Sequence, residues 1–307
     1  MSKIFKPIVL LAIALMIVQV TFSQNETLLK GVYFYESLAV IKGKVQNQAL
    51  SHEVIIKTSP TFPLAKNSES HLLVTNLKTD GGTLGKAIFT FADDKLQYIE
   101  AHGNAIEVLL KSKMDSMQPF MHYKALFKQR IFADVEKDVV WMLTDESAHP
   151  NLFAWENPYL NEAITEESGN DWSAKIPDFI RMGDGLEKLR PILEAESSFV
   201  HEMELDGSDP NAQLQLDCYG IRYAGFPRKI EARFGDDKLN VVWILTGKGE
   251  EDRLRKKLIE EYGTPVFVTE AWEIFDDWTV GLRKDKPEIL VMTPELGQFY
   301  KKEYFKQ

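Results

Sequence analysis

Cysteine is almost absent from this chain of 307 residues, in which Cys218 is the only one. A single thiol excludes a disulfide framework and a zinc site built from several thiolates. Cys218 alternates with Leu214 and Leu216 in a segment typical of a strand, so its side chain is expected to face a core. We therefore predict a buried and unreactive thiol.

Catalytic and cofactor motifs are missing as well. The sequence has no Gly-x-Ser-x-Gly elbow, phosphate-binding loop, dinucleotide fingerprint or Cys-x-x-Cys pair. Its six histidines are scattered, without the spacing of a metal site or a triad. These absences favour a protein that is not an enzyme and uses no cofactor. They leave open an active site assembled from residues far apart in the sequence.

Positive charge is in short supply. The chain has 36 Lys and Arg against 46 Asp and Glu, which gives a formal net charge of −10. An acidic surface repels phosphate backbones and anionic lipids. We therefore expect neither nucleic-acid binding nor docking on a membrane surface.

Long hydrophobic runs are limited to the N-terminus. Lys3 and Lys6 precede an apolar run over residues 7–20, and small residues follow at Thr21 and Ser23. At about 14 residues, the run is shorter than the roughly 20 needed to span a bilayer, and the pattern is typical of a secretory signal. We predict a signal peptide over residues 1–23 and a periplasmic or secreted protein with no membrane span after cleavage. An uncleaved anchor is the alternative.

The most informative feature is a repeated segment. Residues 91–99, FADDKLQYI, recur as residues 234–242, FGDDKLNVV, and an alternating strand pattern precedes each copy. Aspartate pairs tolerate tight turns, so each copy predicts a β-hairpin. Two hairpins that independently settled on a common turn are the alternative.

The segments around the two hairpins also correspond. A helix is predicted before each hairpin, at residues 38–41 and 186–193, with Pro191 expected to end or kink the second. Another is predicted after each: Asn104 and Glu107 form a capping-box-like pair, whereas the later helix stops at Gly263. In the strands that follow, we match residues 135–143 to 266–282 and residues 152–155 to 289–292.

These patterns predict an α+β fold of two tandem repeats, each an antiparallel sheet packed against helices. We place the first repeat at residues 24–155 and the second at residues 178–307. Between them, residues 156–177 are acidic and rich in turn residues, which is typical of a solvated linker.

The second repeat resembles a known group of proteins. Its helix ends in Tyr262-Gly263-Thr264-Pro265, and strands carrying Trp272 and residues 278–282 follow. This order is similar to that of exported bacterial α+β repeat proteins related in fold to the β-lactamase-inhibitor protein and to PepSY-like periplasmic domains. The first repeat departs from it, with Met117-Gln118-Pro119 at the helix stop. The resemblance implies a protein-binding role and transfers no catalytic residue.

Two segments bear on metal binding. His201-Glu202 begins like a zincin helix, but Leu205 stands where the second histidine is required, so a strand is the better interpretation. Residues 206–211 offer oxygen donors, but no distal glutamate completes a calcium loop, and a plain turn is favoured. We predict no metal site.

The segment around residues 272–278 is the strongest candidate for binding. If the chain turns at residues 275–277, Trp272 and Trp278 lie on adjacent strands and can pair across them. Exposed tryptophans beside carboxylates would stack on a sugar or hold a partner side chain, whereas core packing is the structural alternative. The candidate binding residues are Trp272, Phe275, Asp276, Asp277 and Trp278.

Taken together, these features predict an exported non-catalytic binding module that engages a protein or peptide partner in the cell envelope. The alternative is an envelope protein that binds or processes carbohydrate through exposed tryptophans and acidic residues. A purely structural envelope component is a third hypothesis.

Overall fold

A computed structural model describes residues 27–57, 60–148, 157, 159 and 172–307. The predicted signal peptide and Trp155 lie outside the described residues, and so does most of the predicted linker. Among the helices of the described ranges, none combines the length and the apolar character that a membrane crossing requires.

Eight antiparallel strands form the first sheet in the order β1-β2-β3-β4-β8-β7-β6-β5. They are β1 Ser51–Lys57, β2 Glu69–Thr79, β3 Gly82–Ala92, β4 Lys95–His102, β5 Gln118–Phe120, β6 Tyr123–Leu126, β7 Ile131–Asp134 and β8 Val139–Leu143.

Eight further antiparallel strands form the second sheet. They are β9 Phe199–Glu204, β10 Leu214–Tyr223, β11 Phe226–Gly235, β12 Lys238–Leu245, β13 Phe267–Val268, β14 Trp272–Phe275, β15 Val280–Arg283 and β16 Glu288–Met292. Read from β9, their order is β9-β10-β11-β12-β16-β15-β14-β13, which is the order of the first sheet. The prediction of an α+β fold with two tandem repeats is therefore confirmed.

The repeated segment forms equivalent hairpins in the two sheets. Asp93 and Asp94 join β3 to β4, Asp236 and Asp237 join β11 to β12, and all four have positive φ. This conformation suits a two-residue hairpin turn. Each hairpin also has a register shift just before its turn, at Thr90/Phe91 and at Arg233/Phe234. The sequence similarity thus reflects a shared backbone, down to the position of a bulge.

Five α-helices accompany the described strands. They are α1 Leu38–Val45, α2 Asp145–Ala148, α3 Leu186–Glu196, α4 Glu251–Tyr262 and α5 Pro294–Glu303. As predicted, Gly263 ends α4 with φ +81°, a conformation that glycine adopts without strain.

Two predictions about helix ends were wrong. Pro191 does not end α3, which continues to Glu196 and buries Leu189 and Leu193. Asn104 does not cap the helix after the first hairpin, because its own φ is +67° and its backbone N–H donates to Asp138. That helix is a five-residue π-helix, Ile106–Leu110, whose first N–H also donates to the Asp138 carboxylate. The carboxylate of the distant Asp138, rather than the side chain of Asn104, therefore accepts the backbone N–H groups at the start of this helix.

The matching of the last strands was also wrong. Strand β8 corresponds to β16, because each pairs with the second strand of its hairpin: Ile99 faces Met142, and Val242 faces Val291. The segment 289–292 is therefore the counterpart of 140–143 rather than of 152–155. The error arises because residues 266–282 contain β13, β14 and most of β15. The counterparts of these strands, β5 to β7, lie at residues 118–134 rather than at 135–143.

Each repeat has its own core between one sheet face and its helices. Phe91 belongs to the first core and Phe234 to the second, and both are buried. A third cluster joins the repeats, since it contains Tyr98 and Trp141 of the first sheet together with Phe226 of the second. The sheet faces turned away from α1, α3 and α4 are called the outer faces below.

Candidate functional site

The five residues predicted to bind do not share one surface. Trp272 is half-buried on β14, whereas Phe275 is buried in the second core and Trp278 is only 4% exposed. Asp276 and Asp277 are exposed at a turn.

The predicted pairing of Trp272 with Trp278 was wrong. The residue opposite Trp272 is Arg283, because the turn extends over Asp276–Trp278 as a short 3-10 segment. The ring of Trp278 packs against Phe267 at 5.2 Å and against Phe305 at 5.5 Å. Trp278 therefore fills space beneath the C-terminal segment.

Trp272 instead belongs to a row of four side chains on the outer face of the second sheet. The guanidinium of Arg233 lies 5.8 Å from the ring centroid of Trp243, and that of Arg283 lies 5.5 Å from the ring centroid of Trp272. The two indole rings are 6.2 Å apart at 55°. We call Arg233, Trp243, Trp272 and Arg283 the Arg–Trp ladder. Its cations and rings are within the range of favourable cation–π contact.

The two tryptophans pack against an apolar cluster to which the C-terminal helix contributes. Leu296 of α5 packs with Leu290 and Met292 in a small apolar cluster, and Trp243 and Trp272 pack against it. Both indoles are half-buried, so each keeps part of its surface accessible. The ladder is thus a fixed and partly exposed surface.

Arg233 is also held by a closed ring of polar contacts across β10 and β11. Arg233 donates to Glu231 (2.8 Å) and to Gln215 (2.7 Å), and Gln215 donates to Asp217 (2.6 Å). Lys229 closes the ring, with its ammonium 3.0 Å from carboxylate oxygens of both Asp217 and Glu231. Two cations face two carboxylates, so the ring is electrically balanced and orients Arg233 toward Trp243.

The outer face of the first sheet has a different character. His71 lies between two partners, with Nε2 2.7 Å from Glu69 Oε1 and Nδ1 3.0 Å from Thr90 Oγ1. Burial by itself would raise the pKa of Glu69, but His71 and the backbone N–H groups of Thr61 and Phe62 hold it below its ordinary value. Each of these three residues is at most 1% exposed. The order hydroxyl, imidazole, carboxylate resembles a catalytic triad, but the group is closed to solvent.

A second buried polar chain lies on the same face. Tyr98 donates to Glu100 at 2.6 Å, and Glu100 is also 2.6 Å from Nε2 of His102. Burial and the Glu100 carboxylate raise the pKa of Tyr98 well above its ordinary value.

The six histidines are scattered along the sequence, but two of them share a local pattern. His71 and His102 each follow a glutamate by two residues on a strand, so the two side chains lie on one face. A search for Glu-x-His within alternating strand patterns would have found both pairs.

The segments weighed as metal sites are accounted for by local structure. His201 lies on β9, as predicted, and its imidazole is 4.0 Å from Asp217. Asp206 accepts the backbone N–H of Ser208, which is a turn contact. Among the residues that the structure describes, no three His, Cys, Asp or Glu side chains come together in a way that could hold a metal ion.

The chain was compared with family models, curated proteins and solved structures, and none of the three comparisons gave a match. The likeness to β-lactamase-inhibitor-like and PepSY-like domains therefore stays a prediction from the sequence. The site that the structure favours is the Arg–Trp ladder on the outer face of the second sheet.

Proposed function

We propose that the protein is an exported, non-catalytic binding module that engages a protein or peptide partner in the cell envelope through the Arg–Trp ladder. The single observation that carries the proposal is the ladder itself, with two arginines and two tryptophans held in one half-buried row. Tryptophan and arginine are the residue types most enriched among the side chains that dominate binding energy at protein interfaces.

The rigidity of the ladder supports this role. Arg233 is fixed by its polar ring, and Arg283 contacts Asp285 at 2.9 Å and Glu288 at 3.3 Å. Side chains that are already ordered lose little conformational entropy when a partner binds. Both arginine side chains keep some exposure, 31% for Arg233 and 23% for Arg283. They can therefore receive carboxylates of a partner while the indoles cover its apolar side chains.

The carbohydrate alternative has less support from this geometry. A sugar ring needs an open aromatic face, and Trp272 has Arg283 over its ring and Phe305 6.0 Å away at 85°. Trp278, the other tryptophan considered for sugar stacking, is buried. A catalytic role has less support too, because the most enzyme-like group, Glu69–His71–Thr90, is sealed from solvent.

The test is an affinity capture from the native cell envelope with chemical cross-linking, followed by titration of the captured partner. We expect Trp243→Ala with Trp272→Ala to weaken the partner's binding at least about tenfold, because such central side chains each contribute about 1–2 kcal/mol or more. Arg283→Glu should weaken binding too, because it inverts a charge of the ladder and removes the cation that lies over the Trp272 ring.

Two exposed aromatic residues of the C-terminal segment, outside the ladder, provide the control. Phe299 is 51% exposed and Tyr304 is 68% exposed, both toward the end of the chain. Their double alanine variant removes the same number of rings and should bind like the unmodified protein. Equal loss in both double variants, or a partner retained by all of them, would refute the ladder as the binding surface. Export is tested separately, since a mature N-terminus at Gln24 is expected.

A further inference from the structure

The four edge strands of the two sheets differ in how they are protected. An exposed edge presents unpaired backbone N–H and C=O groups, and proteins usually block such edges with short strands, proline or charge. Strand β5 contains Pro119, β13 has only two residues, and β9 presents the exposed Glu202 and Glu204.

Strand β1 is less protected, because it is not short, has no proline, and its two charged residues, Glu53 and Lys57, have opposite signs. It is seven residues long and contains the apolar run Val54-Ile55-Ile56, in which Ile56 is 68% exposed. It pairs with β2 on one side, and no strand among the described residues pairs with its other side. We propose that two copies of this chain associate by antiparallel pairing of their β1 strands about a twofold axis at Ile55, which joins their first sheets into one continuous sheet.

The residues of β1 complement themselves in this register. With Ile55 opposite the partner's Ile55, Glu53 faces the partner's Lys57 at both ends of the contact, and Val54 faces the partner's Ile56. Opposite charges directly across an antiparallel pair stabilise it, and like charges destabilise it. A twofold contact uses the same patch on both chains, so its sequence must be complementary to itself. The run from Glu53 to Lys57 satisfies that condition.

The faces of the strand fit the same register. Val54 is opposite Leu72, a member of the first core, so Val54 and Ile56 lie on the helix-covered side of the sheet. Ile55 is opposite His71, so Glu53, Ile55 and Lys57 lie on the outer side. Residues directly opposite in an antiparallel pair share a face. The exposed Ile56 would therefore be covered by the partner's Val54 beside the core.

The corresponding edge of the second repeat shows why the association is assigned to β1. Strand β9 occupies the same place in its sheet, but Glu202 and Glu204 stand where β1 has Val54 and Ile56, and Glu202 is paired with Arg190. Two β9 strands brought together would place acidic side chains near each other. An extended segment of an unrelated protein is the other possible occupant of β1, and the self-complementary charges favour a second copy.

The proposal is tested by measuring the mass of the protein in solution. The sample is the form of the protein that cells produce from the full chain. Sedimentation equilibrium should show a dimer at micromolar concentration that dissociates on dilution. Ile56→Lys should make the protein monomeric, and its melting temperature should equal that of the unmodified protein at dilutions where the latter is monomeric, because that side chain is mostly exposed in the single chain. Glu202→Lys, on the matched edge β9, should leave the mass unchanged.

The register is tested by exchanging charges. Glu53→Lys should weaken the dimer at least about tenfold, because it places like charges opposite each other at both ends. Adding Lys57→Glu to that variant should restore the dimer, at a cost to the stability of each chain because Lys57 lies opposite Glu69 in the sheet. Circular dichroism on each variant separates loss of pairing from loss of fold.

Three results would overturn the proposal. The first is a monomer at all concentrations up to about 100 μM, because an association weaker than that would not amount to the dimer proposed here. The second is a dimer that survives Ile56→Lys, and the third is a folded double charge variant that stays monomeric. None of these outcomes bears on the Arg–Trp ladder, which lies in the other repeat.

Discussion

Arg228 and Glu250 form a two-point ion pair in which neither side chain is exposed to solvent. Nη1 lies 2.6 Å from Oε1 and Nη2 lies 2.9 Å from Oε2. The pair ties β11 to the start of α4, and Arg253 also donates to Glu250 at 2.9 Å. Burial alone would raise the pKa of Glu250, but Arg228 and Arg253 hold it below its ordinary value.

Removing one partner of this pair should destabilise the fold strongly. We expect Glu250→Gln to lower the free energy of unfolding by about 3–5 kcal/mol, because Arg228 would remain buried without a countercharge. Since the folded pKa of Glu250 lies below the unfolded one, its contribution is present above the unfolded value of about 4.3 and disappears as the pH falls through the folded value. Urea denaturation at pH 7 and at lower pH measures both effects. Glu260→Gln is the control, because Glu260 is half-exposed in its ion pair with Lys257 on the same helix, and we expect a loss below about 1 kcal/mol.

Gly281 is expected to be essential for the position of Trp272. A β-carbon on Gly281 would lie 3.1 Å from Cζ3 of Trp272 and 3.3 Å from Cδ1 of Ile274, so the indole occupies the space that a side chain would take. Gly281→Val should cost about 1–3 kcal/mol through overpacking and should shift the tryptophan emission, because the indole of Trp272 must leave its present position.

A second glycine provides the matched control. Gly43 lies within α1, and a β-carbon there would have no heavy atom within 4 Å. Gly43→Ala should therefore stabilise the protein by about 0.5–1 kcal/mol, because alanine favours helix more than glycine does. Thermal melting followed by fluorescence compares the two variants. An unchanged emission spectrum in Gly281→Val would contradict the assigned seat of Trp272.

The sequence predicts this fold best where local turn chemistry and alternation agree. The two Asp-Asp hairpins and the end of α4 at Gly263 depend on residues adjacent in the chain, and the structure has them as predicted. It predicts less well where distant residues decide. Asp138, more than thirty residues away, takes the backbone N–H of Asn104, and no local pattern indicates that contact.

The candidate site shows the same division. Trp272 was recognised as a candidate, but Trp243, Arg233 and Arg283 come from other strands, and only the strand order brings the four together. Phe275 and Trp278 lie in the same aromatic and acidic segment as Trp272, but both are buried. An aromatic residue beside carboxylates in the sequence therefore does not reveal which sheet face it occupies.

The two repeats use equivalent turn residues differently. The carboxylate of Asp93 accepts the backbone N–H groups of Lys66, Asn67 and Ser68, whereas its counterpart Asp236 has no such contact among the described residues. Burial alone would raise the pKa of Asp93, but these donors hold it below its ordinary value. The first hairpin turn is therefore linked to the loop before β2.

We expect Asp93→Asn to destabilise the protein by about 1–2 kcal/mol, because a charged acceptor of several hydrogen bonds is replaced by a neutral one. Asp236→Asn should cost less than about 0.5 kcal/mol, because asparagine also tolerates positive φ. The folded pKa of Asp93 is depressed, so the difference between the variants should be full above about pH 4 and fade at lower pH. Chemical denaturation at two pH values measures it, and equal costs at both turns would contradict the assigned contacts.

Cys218 is expected to be inert in the folded protein. Its side chain is fully buried in the second core, and burial raises the pKa of the thiol to about 12, far above neutral pH. Since the thiolate is the reactive form, a disulfide-exchange reagent at pH 8 should react with Cys218 only after denaturant is added. Lys302→Cys gives the comparison, because the side chain of Lys302 is 81% exposed and the new thiol should react within minutes. If Cys218 reacted in the native protein as fast as that exposed thiol, the second core would have to open often, which would contradict its description as a closed core.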